Sequence, residues 1–131
     1  VKKLIGFKTA GTILITLLLL LLAMHVLILL RVLPYNIVWG GRIEDPASIV
    51  PYETGAMVVM LIFLAVAAIR IGYIRAGSMR KAAGVGMWIV FAYFVLNTVG
   101  NFASAVSLEN LIFGPLSIVL ALLSLRVAIG R

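Results

Sequence analysis

Apolar residues along this chain fall into four long runs, and the polar residues gather in the gaps between them. The first run covers about Gly11 to Leu33 and holds the six-leucine tract Leu17 to Leu22. The second covers about Glu53 to Ile74, the third Gly84 to Ala105 and the fourth about Asn110 to Ile129. Each reaches the roughly 20 residues that a helix needs to cross about 30 Å of hydrocarbon. None alternates between apolar and polar positions as a barrel wall would. The pattern predicts an all-α fold, an integral membrane four-helix bundle in one transmembrane domain over residues 1–131, with a long loop over 34–52.

Composition strengthens this expectation. The chain is 64% hydrophobic and 11% charged, where a soluble domain carries about 25% charged residues. A water-soluble fold of this composition would expose large apolar patches. The net charge of +7 does not point to nucleic acid, because the cations flank apolar runs and form no aromatic-interleaved patch. Membrane lipids are the expected partners, at roughly 1 kcal/mol per basic residue near an anionic surface. A homo-oligomer or a partner membrane subunit is also compatible with such a chain. Cysteine is absent, which excludes thiol–disulfide chemistry by the chain itself.

The charges also predict an orientation. Lys2, Lys3 and Lys8 precede the first run, Arg70, Arg75, Arg80 and Lys81 surround the link between the second and third, and Arg126 and Arg131 close the chain. Only Arg31 and Arg42 fall on the other side, where all four acids lie: Glu44, Asp45, Glu53 and Glu109. The positive-inside rule then puts both termini in the cytoplasm of a multi-pass protein of the cytoplasmic (inner) membrane. The basic start followed by an apolar run has the form of a signal peptide. It is too long for a usual h-region and no small-residue cleavage site follows, so it is expected to be a retained span.

With this topology, depth follows from 1.5 Å per residue. His25 then lies about 20 Å from the cytoplasmic start of its span, and Asn97 at a similar height with Asn101 one turn above. Asn97 and Asn101 share a helix face with Gly100 and Ser104. Polar features thus concentrate in the outer half, beneath the 34–52 loop. In that loop Pro34 stops the first helix, Gly40-Gly41 permits a positive-φ turn, and Asp45-Pro46 has the form of an N-cap with proline at the first helical position. Tyr35 and Trp39 suit the headgroup layer. The loop is either an interfacial cap that seals the bundle or a lid over a polar pocket, with Arg42 gripping an anion or pairing with Glu53. Arg31–Glu53 is the alternative pair. Gly114-Pro115 marks a kink in the fourth span. Ala68, Gly72 and Ala76 form a small-residue stripe suited to close helix packing.

His25 is the sole histidine, so metal centres needing several imidazoles are excluded. No cofactor and no metal are expected, and Met57 and Met60 are packing residues rather than haem ligands. A buried His25 hydrogen-bonded to Asn97 or Asn101 is the plain expectation. Histidine is also the side chain that changes charge nearest neutral pH, which makes it a candidate proton-responsive element. Glu53 and Glu109 stand at helix starts, where acids complement the macrodipole, and Glu109 has no evident partner. There is no nucleophile constellation, carboxylate dyad or phosphate-binding glycine loop. No catalytic residues are assigned, and an enzyme is disfavoured.

Two segments resemble an uncharacterised family of short bacterial four-helix membrane proteins. They are Leu33-Pro34-Tyr35-Asn36-Ile37-Val38-Trp39-Gly40-Gly41-Arg42 followed by Tyr52-Glu53, and Leu96-Asn97-Thr98-Val99-Gly100-Asn101. The Pro-Tyr-x-Ile-Val-Trp-Gly-Gly-Arg stretch is the specific part. The resemblance implies no activity. It does imply that Tyr35, Trp39, Gly40, Gly41, Arg42, Glu53, Asn97 and Asn101 belong together.

The expected function is therefore that of a small non-enzymatic membrane protein. Its outward-facing polar pocket or cap would bind a small ligand, a lipid headgroup or a partner subunit through His25, Tyr35, Trp39, Arg42, Glu53, Asn97 and Asn101. The alternative is a small oligomeric transporter or channel. A proton-coupled exporter is disfavoured by the lack of a carboxylate deep in the spans, and a continuous polar path to the cytoplasmic side is not expected.

Overall fold

The structure, a computed structural model, describes residues 2–131. Four long helices form the body of the molecule: α1 (Phe7–Leu29), α2 (Ile49–Ile71), α3 (Arg80–Ala103) and α4 (Gly114–Ile129), with no strand among the described residues. Together with the turns leading into them, all four are long and apolar enough to cross a membrane. Each packs against its neighbours in the chain, and α1 closes the ring on α4. The helices therefore run alternately up and down. One end carries both chain termini and the α2–α3 link. The other, the loop end, carries the long α1–α2 loop and the α3–α4 turn.

The helix ends differ from the edges of the apolar runs for local reasons. Helix α1 stops at Leu29, five residues before Pro34. Proline is not the terminator. Arg31 takes a left-handed conformation (φ 61°) while its N–H donates to the Ile28 carbonyl and that of Val32 donates to Leu27. That pattern is a Schellman closure, with arginine where glycine is the usual choice. Gly72 (φ 92°) closes α2 in the same way, with Tyr73 N–H donating to the Ala68 carbonyl. Gly72 thus ends a helix, and the expected Ala68–Gly72–Ala76 stripe does not extend past it.

The small-residue stripe that does pack lies on α4. Gly114, Ser117, Ala121, Ser124 and Ala128 recur at three- and four-residue intervals and all are buried. Close approach of neighbours along this stripe makes α4 the innermost helix. Half of its apolar window is buried, against 17% for α1. Ahead of it, Glu109–Phe113 forms a π-helical turn that runs into Gly114-Pro115. Proline lacks an N–H and crowds the carbonyl four residues back, and the widened turn absorbs both.

The middle of the bundle is closed by apolar side chains, including Leu14, Leu18, Phe63, Met87, Val90, Phe94, Leu120 and Val127. At the end with the termini, arginines cap the C-terminus of α4. Arg126 donates to the Ile5 and Gly130 carbonyls, and Arg70 to those of Val127 and Ala128. Carbonyls at a helix C-terminus lack intrahelical donors and carry partial negative charge, so guanidinium groups suit them. Both arginines also lie within 6 Å of the Phe7 ring centroid, at 5.7 Å and 5.9 Å.

The contact between α1 and α2 is tightest at Gly11, where a Cβ would overlap the Ile71 side chain. We expect Gly11→Val to destabilise the bundle by about 1–3 kcal/mol, the usual cost of overpacking. The thermal unfolding midpoint in detergent checks this, and Ile71→Ala in the same chain should recover most of the loss.

Candidate functional site

The loop end is organised by two buried carboxylates. Glu53, in the first turns of α2, is fully buried. One of its oxygens meets His25 Nδ1 of α1 at 2.5 Å, and the other accepts from Trp39 Nε1 of the loop at 2.9 Å. Both oxygens are thereby used, and three separate segments are tied to one side chain. The Trp39 ring also packs against Tyr52, with centroids 5.2 Å apart.

Glu109 is the second carboxylate, 8% exposed. Its Oε1 accepts from the Gly40 backbone N–H at 2.8 Å and from the Ser104 hydroxyl at 2.9 Å. Gly40 can present its N–H because Trp39, Gly40 and Gly41 all have positive φ (58°, 65° and 70°). The two glycines adopt this conformation freely. Trp39 does so at a cost of roughly 1–2 kcal/mol, offset by the Glu53 bond and the Tyr52 contact. A Cβ on Gly41 would also come within 3.1 Å of Val106, so the loop lies close on the α3–α4 turn.

Between these anchors is a cavity of about 400 Å³ that reaches into the bundle from the loop end. Its mouth carries Trp39, Gly40, Arg42, Ser104 and Glu109, and its wall includes His25, Asn97 and Asn101. Deeper, Leu21, Met60, Phe94 and Leu120 make it apolar. The size lies within the usual range of small-molecule pockets, as does the mix of an apolar interior with a few convergent polar groups. Asn101 Nδ2 donates to Asn97 Oδ1 at 3.0 Å and to the Phe113 carbonyl at 3.3 Å. Asn110 holds the end of α3 by donating to the Asn101 and Ser104 carbonyls.

Of the residues singled out from sequence, His25, Trp39, Arg42, Asn97 and Asn101 line this one cavity. Glu53 sits behind the wall and positions two of them. Tyr35 does not line it; its hydroxyl donates to the Glu44 carbonyl at 3.3 Å and its ring packs beside Ile28, Val38, Ile43 and Ile49. His25 bonds Glu53 rather than either asparagine, and Glu53 pairs with neither Arg31 nor Arg42. The reason is reach, because His25 and Glu53 face each other across the α1–α2 contact. Asp45 Oδ1 accepts from Ala47 N–H at 3.0 Å, as its position before Pro46 suggests. Glu109 is more than a helix-start acid, since it joins the loop to the α3–α4 turn. The one hint in sequence was an acid facing an apolar span without a local basic partner.

Among the described residues, no three His, Cys, Asp or Glu side chains come together as a metal-ligand set. Comparison with protein-family models, curated proteins and solved structures gives no match to this chain.

Removing either carboxylate should free the loop. We expect Glu53→Ala and Glu109→Ala each to speed trypsin cleavage after the exposed Arg42 several-fold. Glu53→Ala should also cost about 1–3 kcal/mol, since it leaves a part-buried imidazole and indole N–H without their acceptor. Timed proteolysis and thermal unfolding measure the two effects.

Proposed function

We propose that this is a small non-enzymatic integral membrane protein whose outward-facing cavity binds a small amphiphilic ligand or a lipid headgroup. The observation that carries the reading is the cavity itself. It opens beneath a loop fixed by two buried carboxylates, is polar at its mouth and apolar within, and stops at the packed middle of the bundle. An amphiphile matches that gradient, with its polar end at Arg42, Asn97 and Glu109 and its apolar part against Leu21, Met60 and Leu120. The transporter or channel alternative gains no support from the closed layer of Leu14, Leu18, Met87 and Val90.

The reading includes a location and an orientation. The nine cations at or near the end with the termini support the inner membrane of a bacterium, with the termini cytoplasmic and the loop outside. The resemblance of the loop to short bacterial four-helix proteins supports the same grouping of residues and belongs to this proposal. The chain lacks cysteine, so single cysteines can report sidedness. In intact cells Ser48→Cys should react with a membrane-impermeant maleimide and Ser78→Cys should not. The opposite result would reverse the orientation.

Native mass spectrometry of the purified protein tests binding. A Cβ on Gly100 meets nothing within 4 Å, and Gly100 lines the cavity, so Gly100→Trp starts its side chain from open space and is the variant chosen to occlude the cavity. Wild type should retain a bound amphiphile that Gly100→Trp loses. Arg42→Ala should weaken retention about tenfold if the ligand carries an anionic group there. An identical bound species in all three proteins would sink the proposal.

A further inference from the structure

Two buried side chains at the cavity each keep one oxygen unused. Glu109 accepts both its hydrogen bonds on Oε1, and no donor among the described residues reaches Oε2. Asn101, 7% exposed, has its amide oriented by donation to the Phe113 carbonyl, Asn97 Oδ1 and Ser117 Oγ. That orientation directs Oδ1 away from those acceptors, and it too meets no donor. Among the described residues no occluded side-chain oxygen lacks a partner, so neither oxygen is sealed off, and both residues line the cavity. No Lys or Arg among the described residues forms a salt bridge with Glu109 either; the one His–carboxylate contact of that length is His25–Glu53. A carboxylate and an amide oxygen without donors thus belong to two residues, each more than nine-tenths buried, that line the same cavity.

The charge pattern around them is specific. His25 and Glu53 satisfy each other, leaving Glu109 as the unpaired acid and Arg42 as the unpaired base on the cavity. A plain anion would meet Glu109, and a plain cation would meet Arg42. A head with both charges suits both. Trp39, Tyr93 and Phe94 add aromatic surface, which favours a cation near ring faces. A primary ammonium offers three N–H donors, enough for Glu109 Oε2, Asn101 Oδ1 and one water.

Resting on the ligand-binding reading above, we propose that the cavity takes a zwitterionic head in which a primary ammonium lies next to a phosphate ester. The ammonium donates to Glu109 and Asn101, the phosphate faces Arg42, and attached hydrocarbon runs along Leu21, Met60 and Leu120. Ethanolamine phospholipids and soluble phosphoethanolamine share this head chemistry, and the apolar wall favours the lipid.

The test offers the purified full chain equal amounts of phosphatidylethanolamine, its mono-, di- and trimethylated forms, and phosphatidylglycerol, with retention read by native mass spectrometry. A separate arm offers soluble phosphoethanolamine. Retention should fall with each added methyl, by about tenfold across the series, since a charge-assisted hydrogen bond is lost as N–H donors disappear. Phosphatidylglycerol should rank with the trimethylated form. Glu109→Gln keeps an acceptor for Gly40 N–H and should flatten the series, while Arg42→Gln should lower retention of every lipid without changing their order. Equal retention of all head groups by wild type, or an unchanged series in Glu109→Gln, overturns the ammonium assignment and leaves the cavity reading standing. No lipid or amine displaced by Gly100→Trp overturns the cavity reading as well. Capture of phosphoethanolamine alone supports the head chemistry and makes its source soluble.

Discussion

The loop end depends on the burial of Glu53. A carboxylate shielded from water within an apolar bundle is tolerated only when its oxygens have partners, because an unpaired buried charge costs several kcal/mol. Its partners come from elsewhere in the chain, His25 from α1 and Trp39 from the loop. The loop therefore cannot settle until α1 and α2 are paired, and once it settles its indole must point inward. Positive φ at three successive residues then turns the chain so that Gly40 N–H meets Glu109. One buried acid at the start of α2 thus sets the position of a second acid just before α4.

The two carboxylates share a surrounding and differ in how fully they are used. Glu53 spends both oxygens on the protein and acts as a fastener. Glu109 spends one, and the other meets no donor among the described residues, as is also true of Asn101 Oδ1. A purely structural acid at a crowded turn gains by filling both oxygens, as Glu53 does. Leaving one free at the mouth of a pocket is what recognition of a donor requires.

The spans were legible in the sequence because hydrocarbon imposes a length and a composition that no other setting demands. The all-α bundle and the concentration of polar residues at one end followed from run length and rise per residue. The partners within that end did not. His25 reaches Glu53 rather than an asparagine because rotation of α1 against α2 decides which faces meet, and uniformly apolar helices give no periodic clue to rotation. Arg31 ending α1 was equally hidden, since a left-handed arginine leaves no mark that proline or glycine would. Glu109 was visible as a residue and silent as a partner. Its Oε1 is satisfied by a backbone N–H 69 positions away and a serine, and neither carries a charge to pair with.

The two ends of the bundle handle unsatisfied backbone and side-chain groups in opposite ways. At the end with the termini, Arg70 and Arg126 place donors on the carbonyls that close α4 and on that of Ile5 ahead of α1, and the arginines lie around Phe7. In the middle, Leu14, Leu18, Met87 and Val90 pack together in the apolar core. At the loop end the same chain keeps a cavity and leaves acceptors open within it. Interior packing normally removes such space, since voids forfeit dispersion contacts. A bundle packed with apolar side chains through its middle, with a cavity at one end beneath a loop tied to two buried carboxylates, offers the shape on which the ligand-binding proposal rests.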